Sequence, residues 1–74
     1  MSLYYHGIEI CKLKDLLSVE RTNCFIQVRY KELVHGEIKQ RLEFRRVEQA
    51  IEYMIDLERR FASQLPEQFS QRQS

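Results

Sequence analysis

Between Cys24 and Arg45 the chain alternates in character almost residue by residue. In Cys24–Lys31 the even positions are apolar and, after Phe25, the odd ones are polar; in Ile38–Arg45 three of the four even positions are apolar and every odd one is charged. A period of two marks strands with one buried and one wet face, so the stretch predicts an antiparallel hairpin over about 24–45. Parity restricts its loop. A two-residue loop at His35-Gly36 would place Ile38, Leu42 and Phe44 on the same face as Arg29 and Lys31 and split the core. A loop with an odd number of residues keeps it whole. With His35-Gly36-Glu37 as the loop, Val34 opposes Ile38, Tyr30 opposes Leu42 and Val28 opposes Phe44; a five-residue loop also satisfies parity. Gly36 supplies the positive φ such loops use.

From Val47 the period changes to 3.6. Val47, Ala50, Ile51, Met54, Leu57, Phe61, Ala62 and Leu65 fall on one side of a helix predicted over about 47–65. Glu48 and Glu52 near its start and Arg59 and Arg60 near its end complement the helix dipole, and Pro66 stops it. Upstream, residues 3–10 read as a strand with Tyr4, His6, Ile8 and Ile10 on one side and a bulge or bend at Gly7. Residues 11–20 fit either one or two helical turns, with Leu13, Leu16 and Leu17 at helical spacing, or a second short strand ending in a turn at Arg21–Asn23. Residues 66–74 are polar and glutamine-rich, with Phe69 the only apolar side chain, and read as a flexible tail. The expected fold is α+β: one small domain over 1–65, a small antiparallel sheet covered on one face by the C-terminal helix.

Composition narrows function mainly by exclusion. Of 74 residues, 43% are hydrophobic and 31% charged, ordinary for a globular chain; the net charge of +1 selects no partner. The sequence holds no run of ~18 apolar residues and no signal-peptide pattern, so a cytoplasmic, non-membrane protein is expected. Cys11 and Cys24 are too few for a disulfide framework and read as reduced thiols. His6, Cys11, Cys24 and His35 lack knuckle spacing, so no metal is expected. His35 reads as a loop residue and His6 as a partly buried strand residue. Without a phosphate loop, nucleophile elbow or acid–base constellation, the chain reads as a non-enzymatic binding module with no cofactor and no small-molecule substrate.

Two surfaces stand out. The odd positions of the hairpin carry Arg29, Lys31, Lys39, Arg41 and Arg45, against Glu43 alone among the paired residues, which suggests a face for nucleic acid or for an acidic protein surface. The opposing interpretation is that such charges only solubilise the face and deter edge pairing. Strand–strand–helix order over roughly 24–62, with Ala50 and Tyr53 in the helix, loosely resembles the DNA-binding domains of plant ethylene-response factors and of some tyrosine-recombinase N-termini, although no base-contacting motif is matched. The second surface is the helix, whose apolar stripe spans nearly half the circumference with Glu58 near its middle. A carboxylate there needs a partner or must escape past the sheet. Leu57, Glu58, Phe61 and Leu65 are therefore the candidate protein interface, with a homodimer as the expected assembly.

Overall fold

Tight hairpins build most of the fold. The computed structural model of the chain describes residues 1–72. Strands β1 (Ser2–Tyr5) and β2 (Ile8–Lys12) pair antiparallel in a two-stranded sheet of their own. A 3-10 turn at Leu13–Asp15 leads into β3 (Leu16–Thr22), followed by β4 (Phe25–Glu32), β5 (Gly36–Glu43) and helix α1 (Val47–Phe61). A second 3-10 turn at Ala62–Gln64 continues the helix, and β6 (Gln68–Arg72) ends the described chain. The larger sheet has the order β5-β4-β3-β6, antiparallel except for β6, which runs parallel to β3. The α+β class, the hairpin and the long covering helix are as expected.

The hairpin obeys the parity rule with a different loop. Tyr30 pairs with Ile38, Val28 with Gln40 and Ile26 with Leu42, leaving Leu33-Val34-His35 as a three-residue loop closed by Gly36 at φ +72°. The loop count is odd, so the apolar set stays together, but the register differs by four residues from the one that centres the loop on Gly36. The register therefore leaves Leu33 and Val34 in the turn instead of in the strand.

Three further expectations need correcting, and one open alternative is settled. Residues 3–10 are not one strand: His6 and Gly7, at φ +52° and +75°, make a two-residue loop between Tyr5 and Ile8. Paired positive-φ residues match the right-handed twist of a hairpin, so Gly7 is a turn residue, and His6 is exposed at the turn. Between the two alternatives for residues 11–20, the strand holds for the larger part: Cys11 and Lys12 end β2, a 3-10 turn follows at Leu13–Asp15, and β3 starts at Leu16. Leu17 forms a bulge there, which lets Leu16 face the core while Ser18 faces out. Arg21 lies inside β3, only 3% exposed, and its guanidinium donates to the Asn23 carbonyl at 2.8 Å across the next turn. The third correction concerns the tail: residues 68–72 are a strand on β3, with Phe69 half-buried beside Val19. An isolated polar segment has no such strand signal; β3 supplies its partners. The remaining tail residues, 73–74, lie outside the described residues.

Helix α1 buries Ala50, Met54, Leu57 and Phe61 against the sheet face that carries Val19, Ile26, Val28 and Leu42. Gln49 helps start the helix, its Oε1 accepting from the Arg45 backbone N–H at 3.1 Å. The β1–β2 sheet closes the remaining side of the core. Leu3 and Cys11 are buried in it, the Tyr53 hydroxyl donates to the Tyr4 carbonyl, and the Tyr5 hydroxyl donates to the Glu43 carbonyl. Phe44 sits between the Tyr5 and Tyr53 rings, 5.5 and 5.4 Å from their centres. The wide apolar stripe on α1 thus has two covers, the four-stranded sheet and the N-terminal hairpin.

Candidate binding surfaces

On the helix, the sequence-predicted interface divides. Leu57 and Phe61 are core residues, Leu65 packs against the core half-buried, and Glu58 is exposed to water. Glu58 therefore escapes the burial cost that its place on the helical wheel suggests. Leu57 and Phe61 are not available to a partner unless the core opens.

The outer sheet face is assembled from more strands than the hairpin. Because β3 and β6 join the sheet, Ser18, Glu20 and Gln68 lie on the same side as Arg29 and Arg41. The four-residue change of register also pairs Glu37 with Lys31. Arg29, Lys31, Lys39 and Arg41 thus share the face with Glu20, Glu37 and Glu43, and the basic character read from the hairpin alone is largely balanced.

Arg29 is committed to this scaffold. Its Nε donates to Ser18 Oγ at 2.8 Å, one terminal nitrogen to Glu37 at 3.0 Å and the other to Gln68 at 3.2 Å. It therefore ties all four strands together across the floor of a shallow polar depression of about 390 Å³. Arg41 lies over the Phe25 ring at 3.6 Å and reaches Glu43 at 3.5 Å. A guanidinium on an aromatic face is held there by the ring quadrupole. Lys31 and Lys39 are exposed and form no ion pair among the described residues; Arg45 is likewise exposed, just beyond the end of β5. The structure gathers four of the five candidate cations on one face and sets Arg45 at its margin.

The surface that the strand pattern concealed is the tip of the β4–β5 hairpin. Leu33 is fully exposed at 100% and Val34 at 81%, higher than any other large apolar side chain. Glu32 contacts the His35 ring at the same tip, and a depression of about 510 Å³ runs beside it between Leu17, Lys31 and Leu33. The signal was available in principle: a loop centred on Val34 also satisfies parity, and it would have exposed both residues.

The remaining reactive groups are apart from these surfaces. Cys11 is buried, and that burial, reinforced by Asp15 and Glu9, pushes its thiol up to about 11. Cys24 is half-buried at the β3–β4 turn, and both thiols are free. Among the described residues, no three His, Cys, Asp or Glu side chains gather into a metal-binding group. No helix among them is long and apolar enough to cross a membrane. Comparison of the chain with family models, with curated proteins and with solved structures finds no match, so its surfaces have to be interpreted from their own chemistry.

Proposed function

We propose that this protein is a non-enzymatic interaction module that engages a protein partner with the tip of the β4–β5 hairpin. The observation that carries this reading is the exposure of Leu33 and Val34 at the end of a short arm, two residues of each strand, that extends beyond the Leu16–Tyr30 pair of the sheet. Neither side chain contributes to the core, and a turn of this length is more often built from polar residues. An exposed apolar pair at the end of such an arm suits insertion into a hydrophobic pocket, with Lys31 and Glu32 placed to contact its rim. A cytoplasmic setting is in keeping with the two free thiols.

The test is the double variant Leu33→Ser, Val34→Ser. Its unfolding free energy should stay within about 0.5 kcal/mol of the wild type, because both positions are surface positions. Immobilised wild-type protein should retain a defined partner from cell extract that the double variant fails to retain. Equal retention by both would rule the tip out.

A second reading rests on Lys31, Lys39 and Arg45, which are exposed and outside the ion pairs of the described residues. With Arg41 they offer cations to a nucleic acid backbone or an acidic protein surface. The interleaved glutamates and the bonds that hold Arg29 weigh against it. Duplex DNA binding that falls steeply with salt and is lost on Lys39→Glu would favour it; no binding at low salt would remove it.

A further inference from the structure

We infer that the partner of the hairpin tip is a second copy of this chain, each copy seating its Leu33-Val34 tip in the notch beneath the other's hairpin arm. The inference rests on the proposed use of the tip and adds the surface that receives it. Unequal strand lengths create the notch. Strand β3 begins at Leu16, opposite Tyr30, while β4 and β5 run two residues further before they turn. The overhang leaves a depression of about 510 Å³, lined by Leu33 and Lys31 from the arm, Leu17 from β3 and Asp15 from the 3-10 turn that precedes it.

The notch suits the tip that overhangs it. Leu17 is the extra residue of the β3 bulge, while Leu16 and Ser18 on either side keep their places in the ladder with β4. A bulge re-aims one side chain without disturbing its neighbours, and here it leaves a half-buried leucine in the notch instead of in the core. An apolar projection and an apolar-lined recess therefore lie side by side on one surface. Two copies related by a two-fold axis bring the same patch together, so each tip meets the other's recess and both contacts form at once.

The charges around the notch agree. Of the four charged residues that line it, Glu37 is held by Arg29 at 3.0 Å and Glu32 by His35. Lys31 and Asp15 form no ion pair among the described residues. The rim thus carries one uncommitted cation and one uncommitted anion. Across the axis, Lys31 of each copy meets Asp15 of the other, so the attraction is made twice. A rim whose uncommitted charges were all of one sign would repel its own copy; this one does not. Two tips and two notches make a contact smaller than those of stable complexes, so the dimer is weak and reversible.

Sedimentation of the full chain from micromolar to millimolar concentration tests the inference, and isotope-filtered NOEs in a mixture of labelled and unlabelled chains locate the contact. A reversible monomer–dimer equilibrium is expected, with NOEs between the Leu17 methyls of one copy and the Leu33 or Val34 methyls of the other. Leu33→Ser, Val34→Ser should abolish it, and Leu17→Ser should weaken it by about tenfold or more, with urea titration showing that both variants fold. Lys31→Asp and Asp15→Lys should each weaken it by about threefold or more, and the combined variant K31D/D15K should regain the loss. Both charged positions lie outside the core, so the swap keeps the test available even where Leu17→Ser fails to fold. A chain that stays monomeric at millimolar concentration overturns the inference, while retention of a different protein from extract would still uphold the tip itself. A dimer that the tip variant leaves intact, that shows its NOEs elsewhere, or that K31D/D15K does not restore overturns it as well.

Discussion

His6 shows how a single residue can hold a conformation its type does not favour. It opens the first hairpin at φ +52°, where a side chain crowds its own backbone and asparagine or glycine is preferred. Its ring packs 4.2 Å from that of Tyr5, which offsets part of the cost. His6→Asn should stabilise the protein by about 0.5–1 kcal/mol, seen as a higher urea midpoint at unchanged slope. A lower midpoint would mean that the ring contact outweighs the turn preference. Cys11 makes a different residue-scale prediction. Its thiol titrates at about 11 in the fold, above the ordinary 9.0, and burial among apolar groups also raises the Tyr53 hydroxyl. Both groups are neutral when protonated, so the fold binds those protons more tightly than the unfolded chain does. Their contribution is complete below about pH 9 and is lost as pH rises from there, because the unfolded chain ionises first. For Cys11 the loss amounts to about 2–3 kcal/mol. Cys11→Ala should flatten the decline in stability between pH 9 and 11 measured by denaturant titration; an unchanged slope would place the titration elsewhere.

At the scale of elements, the helix and the last strand each acquire their role from what lies beside them. Leu57 and Glu58 are neighbours on α1, yet one is 4% exposed and the other is in water. Leu57→Ala should cost about 2–4 kcal/mol by leaving a cavity under the helix, whereas Glu58→Lys should change stability by no more than about 0.5 kcal/mol. Equal effects would mean that the second half of the helix does not seat on the sheet. Strand β6 is a sharper case, because its sequence carries little strand signal. Phe69 packs beside Val19, so Phe69→Ala should cost about 1–2 kcal/mol. A free tail would give no change in the denaturation curve.

Across the whole molecule, the two sheets differ in how they are secured. Strand β4 is central, paired on both sides, and contributes Ile26 and Val28 to the fully buried core. The β1–β2 pair meets the rest through Leu3, Cys11 and the two tyrosine hydroxyls. Amides of β4 should therefore exchange with solvent only on global unfolding, and those of β1 and β2 through smaller openings with lower free energy. Hydrogen exchange followed by NMR measures both; identical values would mean that the two sheets unfold as one unit.

Local periodicity determined a good part of this protein. The shift from period two to period 3.6 near Val47 located the hairpin and the helix, because those periods follow from backbone geometry and the need to cover one face. Parity alone required an odd loop. Neither rule specifies the register, since a shift of four residues preserves which side each residue faces; the pairing of Tyr30 with Ile38 came from packing over the whole sheet. That choice decided which residues formed the tip and which charges met on the outer face. Likewise, Gln68–Arg72 is a strand because β3 presents an edge to it, and Glu58 is wet because it lies beside, not within, the buried arc of α1 formed by Ala50, Met54, Leu57 and Phe61. Alternation and amphipathicity are recorded residue by residue along the chain. Edges, tips and the partners of charged side chains exist only once distant strands have been placed side by side.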